Sequence, residues 1–78
     1  MQRYHNLSRK SGVVAYAVEK GAITIQFADG HVYLYTHRSA GAANIRKMQA
    51  LAERGRGLST FVSRNVKDGY ERKWQGSI

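Results

Sequence analysis

Residues 13–36, VVAYAVEKGAITIQFADGHVYLYT, decide the fold of this chain. They are rich in β-branched and aromatic residues, which favour strands, and they are interrupted by Lys20-Gly21 and by Asp29-Gly30. Asp-Gly is the strongest short signal of a hairpin, because a type I′ turn needs positive φ at both of its central residues. The stretch therefore predicts an antiparallel meander of three strands. The predicted strands are residues 13–19, 22–28 and 31–36.

Two-residue loops at both turns would fix which residues oppose each other across the sheet. With Asp29 and Gly30 as the loop, Gln26 pairs with Tyr33, and directly opposed residues share a face. The predicted apolar face carries Val14, Tyr16, Val18, Ile23, Ile25, Phe27, Val32 and Leu34. The predicted opposite face carries Ala15, Ala17, Thr24, Gln26, His31, Tyr33 and Tyr35.

The hydrophobic period changes after the third strand. A first helix is predicted from apolar residues at helical spacing, namely Ile45, Met48, Leu51 and Ala52. Ser39 is a suitable N-cap for it, and Gly55 and Gly57 end it. A second short helix is predicted from the apolar residues Leu58, Phe61, Val62 and Val66. We therefore expect an α+β fold, in which a three-stranded antiparallel meander is followed by two helices packed on its apolar face, in the order βββαα.

Length and composition narrow the class of protein. A chain of 78 residues makes one small domain. Its predicted parts are a loose, basic N-terminal arm at residues 1–11, a single α+β domain at residues 12–68 and a basic, aromatic C-terminal tail at residues 69–78. Cysteine is absent, which excludes disulfides and thiolate chemistry, and no apolar run approaches the ~20 residues of a membrane span. We expect a cytoplasmic protein that does not enter a membrane.

The charge of the chain points to an anionic partner. Thirteen Lys and Arg residues stand against five Asp and Glu residues, a formal charge of +8 with His neutral. Most of this excess lies after the predicted meander. It is more than solubility needs and favours RNA or another polyanion. The alternative is a solvated surface that keeps a small protein in solution.

Several motifs carry a resemblance to a known family. They are Gly30-His31-Val32 before Tyr33-Leu34-Tyr35, then Gly55-Arg56-Gly57-Leu58 with Phe61-Val62 and Val66, and the basic segment Tyr70-Glu71-Arg72-Lys73. Over roughly residues 12–73 the chain resembles the KTSC domain, a small module found alone in bacterial and phage proteins and at the C-terminus of some lysyl-tRNA synthetases. It looks like a variant branch, because Ser39-Ala40-Gly41 stands where the family commonly has Val-Pro. The resemblance implies RNA binding and no catalytic residues.

The face opposite the apolar one is the predicted binding surface. Tyr33 and Tyr35 would stand side by side on it, ~7 Å apart, and stacking of bases on aromatic rings contributes about 1–3 kcal/mol per base. The alternative is that these rings pack under the arm or the tail, or against a second copy of the chain. The predicted nucleic-acid-binding residues are His31, Tyr33, Tyr35, Arg38, Arg46, Lys47, Arg54, Arg56, Arg64, Lys67, Arg72, Lys73 and Trp74.

The sequence thus predicts a small nucleic-acid-binding module, with RNA as the preferred partner, that holds phosphates on helix and tail Arg and Lys residues. The alternative is a protein-interaction or homodimerisation module with no nucleic-acid role, which would use a sheet edge or the tyrosine face. The carboxylates are scattered, and His5, His31 and His37 lack the spacing of a metal site. We therefore expect no enzymatic activity, no metal and no cofactor.

Overall fold

A computed structural model of the protein describes residues 2–5 and 12–75. They form an antiparallel sheet of five strands, in chain order across the sheet, with helices packed on one face. The strands are β1 (Gln2–Arg3), β2 (Val13–Glu19), β3 (Ala22–Phe27), β4 (His31–Thr36) and β5 (Arg72–Gln75). The helices are α1 (His37–Ala40), α2 (Ala42–Arg54) and α3 (Leu58–Phe61), the last of which runs into a π-helical turn (Val62–Val66). The predicted α+β class is confirmed.

The predicted meander forms the middle of the sheet, as β2, β3 and β4, and two further strands extend it. β1 pairs with β2, and β5 pairs with β4. After β1, Tyr4 is 3% exposed, and its ring meets that of Tyr16 edge-on at a centroid distance of 6.4 Å. Residues 2–4 are therefore part of the sheet and core instead of a loose arm. The rest of the predicted arm (residues 6–11) and the end of the tail (residues 76–78) lie outside the described residues.

The register of β2 and β3 is as predicted around Tyr16, which pairs with Ile25. Nearer the start of β2 a bulge intervenes, and Val13 pairs with Phe27 in place of Val14. Val13 is fully buried and Val14 is 38% exposed. The prediction that Val14 faces the core is therefore wrong, because the extra residue at the bulge puts Val13 opposite Phe27 in place of Val14, whereas Tyr16 beyond the bulge keeps its predicted pairing.

The predicted register of β3 and β4 is wrong by one residue. Tyr33 pairs with Ile25, not with Gln26. The turn is longer than a two-residue loop: the backbone N–H of Gly30 donates to the carbonyl of Phe27 at 3.0 Å, and Gly30 has a φ of 93°. These features are those of a three-residue hairpin loop, in which a type I turn is followed by a glycine at positive φ.

This shift of one residue moves every side chain of β4 to the other face of the sheet. Tyr33 and Tyr35 lie on the face that the helices cover, where Tyr35 is 1% exposed and Tyr33 is half-buried. Val32 and Leu34 lie on the opposite face. The predicted exposure of the two tyrosines on the open face is therefore wrong. Val32 is buried, at 1% exposed, but it and the half-buried Leu34 lie on the opposite face and not, as predicted, on the face that the helices cover.

The predicted first helix is divided at Gly41, whose φ of 93° is not helical. The N-cap of α1 is Thr36, not Ser39: the Thr36 hydroxyl accepts from the backbone N–H of Ser39 at 3.2 Å, and the backbone N–H of Thr36 donates to the Ser39 hydroxyl at 3.0 Å. The predicted apolar positions that are buried are Ile45, Met48, Leu51, Ala52, Leu58, Val62 and Val66. Within the part of the chain that the structure describes, no helix has the length and apolar character of a membrane span.

Tyr4 should anchor the first strand. Its hydroxyl accepts a hydrogen bond from the backbone N–H of Leu58 at 3.3 Å, at the start of α3. Tyr4→Phe removes the acceptor of a buried donor and should lower the free energy of unfolding by about 1–3 kcal/mol, and Tyr4→Ala should cost about 3 kcal/mol or more. Urea unfolding measures both. The exposed Gln2 provides the control, since Gln2→Ala should stay within about 0.5 kcal/mol; equal effects at the two positions would contradict the anchoring role.

Candidate functional site

An open cleft of about 540 Å³ lies between the end of the β3–β4 hairpin, strand β5 and the π-helical turn. This volume is typical of ligand sites, which occupy roughly 300–1,000 Å³. We call it the aromatic cleft, because its wall on the sheet side consists of Phe27, Tyr33, Tyr35 and Tyr70. Its polar lining includes Asp29, Ser59, Ser63, Lys67, Asp68 and Lys73.

Tyr33 lies at the centre of the aromatic wall. Its ring meets Phe27 at 5.3 Å and Tyr70 at 5.1 Å between centroids, both edge-on. It lies nearly parallel to the ring of Tyr35, at 6.3 Å. Aromatic pairs in these arrangements contribute about 0.5–1.5 kcal/mol each beyond the area they bury. The wall is therefore a connected set of rings that holds its shape.

Two lysines stand beside this wall. Lys73 pairs with Tyr33 across β4 and β5, and its ammonium nitrogen lies 5.5 Å from the centroid of the Tyr33 ring. Lys67 follows the π-helical turn, and its backbone N–H donates to the carbonyl of Val62 at 2.6 Å. Both residues are exposed. Among residues 2–5 and 12–75, no Lys or Arg nitrogen lies within 4.0 Å of a carboxylate oxygen, so these charges are available to a ligand.

Tyr35 is the buried member of the aromatic wall, and it connects the wall to the π-helical turn. Its hydroxyl donates to the backbone carbonyl of Lys67 at 3.4 Å, which ties β4 to the end of the π-helical turn. Burial raises the pKa of the Tyr35 hydroxyl well above its ordinary value, and the neighbouring Tyr33, Tyr70 and Asp68 act in the same direction. The hydroxyl therefore stays protonated at neutral pH, and the ring serves as part of the core.

Asp29 and His31 form a pair at the tip of the hairpin. The backbone N–H of His31 donates to Oδ1 of Asp29 at 2.9 Å, and Nδ1 of His31 lies 3.0 Å from Oδ2. These hydrogen bonds lower the pKa of Asp29. The ring of His31 lies 6.4 Å from that of Tyr33, so the pair stands next to the aromatic wall.

The structure brings four of the predicted binding residues together in the cleft, namely Tyr33, Tyr35, Lys67 and Lys73. Arg72 and Trp74 lie on the other face of β5, because successive side chains of a strand alternate. The remaining predicted cations are exposed on the helices and their connections: Arg38 in α1, Arg46, Lys47 and Arg54 in α2, Arg56 after it, and Arg64 in the π-helical turn.

Sequence reasoning does not find Phe27 and Tyr70 as members of a site. It assigns Phe27 to the core, and it places Tyr70 in a tail whose state it cannot predict. The signal that could have found them is the ambiguous length of the loop between β3 and β4. Gly30 suits the third position of a three-residue loop as well as the second position of a two-residue loop. That reading places Tyr33 on the same face as the core and beside Phe27.

Comparisons with protein-family models, with curated proteins and with solved structures found no match to this chain. The resemblance to the KTSC domain therefore stays a prediction. What the protein binds is inferred from the geometry of the aromatic cleft and from the charge around it.

The buried Tyr35 should make the fold sensitive to alkaline pH. In the unfolded chain this phenol ionises near pH 10, whereas its raised pKa keeps it neutral in the folded protein. Ionisation of this hydroxyl therefore has no effect on stability well below pH 10, and the free energy of unfolding falls as the pH rises above that value. We expect Tyr35→Phe to reduce this fall. Urea unfolding of both proteins from pH 7 to 11 measures it, and equal alkaline slopes would contradict the buried position.

Proposed function

We propose that the protein binds nucleic acid, with RNA as the preferred partner, and that an unpaired base enters the aromatic cleft. The observation that supports this is the position of Lys67 and Lys73 beside a wall of aromatic rings. An unpaired base needs a flat aromatic surface on which to stack, and its phosphate needs a cation nearby. The aromatic cleft offers both.

Lys73 connects the two requirements. Its ammonium group lies over the Tyr33 ring, where a cation is attracted by the negative face of the π-system. In the proposed complex a base stacks on the aromatic wall in the place of the Lys73 ammonium group, and the ammonium group turns to the phosphate of that nucleotide. A charge-assisted contact between ammonium and phosphate replaces the weaker contact with the ring. Lys67 faces the same ligand from the π-helical turn.

The proposed partner is the polyanion that the charge of the chain predicts, but it binds in the aromatic cleft and not on the open face of the sheet. The half-buried Phe27, Tyr33 and Tyr70 contact the base, and the buried Tyr35 supports them. The other exposed cations of the helices add a positive field that attracts a polyanion from a distance. We propose binding without catalysis and without a metal or cofactor.

Loss of one lysine of the cleft should weaken binding and its dependence on salt. For Lys73→Ala we expect lower affinity for a fluorescein-labelled RNA of ten adenosines, and a slope of log affinity against log salt that is smaller by about 0.7. Fluorescence anisotropy between low and moderate salt measures both. Lys20→Ala is the matched control, because Lys20 lies in the turn between β2 and β3, at the other end of β3 from the cleft. Equal losses in the two variants would show that binding follows total charge and not the cleft.

The ring of Tyr70 should matter more than its hydroxyl. Tyr70→Ala removes part of the aromatic wall and should weaken binding of the same RNA by about 1–3 kcal/mol, whereas Tyr70→Phe keeps the ring and most of the affinity. Circular dichroism shows whether each variant is folded. Parental affinity in a folded Tyr70→Ala protein would contradict the proposed site. If no RNA binds at any salt and light scattering shows a dimer, the protein-interaction alternative gains support.

A further inference from the structure

Strand β5 presents charged or aromatic side chains to both faces of the sheet. Lys73 pairs with Tyr33 and faces the aromatic cleft, whereas Arg72 and Trp74 pair with Leu34 and Val32 on the opposite face. All four residues of β5 are exposed, and β5 is the last strand in the order of the sheet. Within residues 2–5 and 12–75 no strand lies beyond β5, so a ligand can pass from one face to the other around this edge.

The face of the sheet opposite the helices, which we call the outer face, has a simple composition. One row across the five strands consists of Arg3, Ala15, Gln26, Val32 and Trp74, and the next consists of Ala17, Thr24, Leu34 and Arg72. The two rows contain two arginines and no carboxylate. The next row contains Glu19 and Thr36, and there the Thr36 hydroxyl donates to the carboxylate of Glu71 at 2.9 Å. An anionic ligand is complementary to this surface, and a second copy of the same positive surface is not.

Trp74 is the only tryptophan of the chain, and it is 42% exposed on the outer face. Its partner across the strands, Val32, is 1% exposed. The indole is therefore partly open to solvent, and Arg72 lies two residues away on the same side of the strand. An exposed aromatic ring beside an arginine is the arrangement on which bases of single strands stack.

We propose that the ligand is a single strand of nucleic acid that bends around β5, with one base in the aromatic cleft and another on Trp74. This inference rests on the proposed function and adds a second stacking position. Lys73 and Arg72, adjacent in sequence and on opposite faces, hold the phosphates on the two sides of the edge. Adjacent stacked bases are only ~3.4 Å apart and cannot reach both rings, so at least one nucleotide spans the edge. A duplex, whose bases are paired, cannot occupy both positions.

The single tryptophan makes the second position directly observable. Trp74 fluorescence is followed while the full chain is titrated with adenosine monophosphate, with oligoadenylates of three and six nucleotides, and with a six-base-pair RNA duplex. We expect the two oligonucleotides to quench the fluorescence and the monophosphate and duplex to leave it unchanged. A parallel titration with a fluorescein-labelled hexanucleotide reports binding by anisotropy, whatever happens at Trp74.

Two variants separate stacking from packing. Trp74→Leu keeps an apolar side chain opposite Val32 but offers no ring, and it should weaken binding of the labelled hexanucleotide about 5- to 150-fold. Trp74→Phe keeps a ring and should retain most of the affinity. Gln75→Ala, at an exposed neighbouring position of β5, is the matched control and should bind as the parent does.

The outcomes distinguish this inference from the proposed function. If the hexanucleotide binds by anisotropy but Trp74 fluorescence stays constant and Trp74→Leu binds normally, the cleft binds alone and the second position is refuted. If the duplex binds as tightly as the single strand and quenches Trp74, the path around β5 is refuted as well. If no oligonucleotide binds, both the proposed function and this inference fail.

Discussion

The backbone of Gly30 is the constraint on which the site depends. Its positive φ allows the loop after β3 to contain three residues, and the loop length sets which face each side chain of β4 occupies. With this loop, Tyr33 and Tyr35 pair with the isoleucines of β3 and face the helices. The aromatic cleft exists because two tyrosines that a shorter loop would place on the outer face are turned inward.

The residues predict the class of fold better than the site, for a physical reason. The meander and the buried stripe of α2 follow from local patterns, alternation in strands and helical spacing around Ile45 and Met48. The register at Asp29-Gly30 does not follow from a local pattern, because β4 carries apolar residues on both of its faces. Val32 and Leu34 could fill a core as well as Tyr33 and Tyr35 could, and only packing against the other elements decides between them.

The two outer strands illustrate a second limit. β1 is QR and β5 is RKWQ, and neither shows the apolar alternation that identifies a strand in sequence. They form because β2 and β4 offer unpaired backbone groups at their edges, a long-range effect that a local pattern does not contain. The face to which Lys73 or Trp74 points therefore depends on tertiary pairing, although both residues are recognisable in advance as a cation and a stacking group.

The same rings serve the core and the cleft in this small protein. Tyr35 packs among the buried residues, touches Tyr33 and bonds to the backbone at Lys67. Stability and binding are thus coupled at this wall, since residues in contact do not act independently. The cations of β5 affect a different property, the association of the free protein with itself. Arg72 and Lys73 belong to the last strand of the sheet in the part of the chain that the structure describes, where like charges oppose the addition of a second copy edge to edge. Repulsion between these charges opposes the growth of the free protein into extended β-aggregates. A polyanion that neutralised the charges would weaken this repulsion.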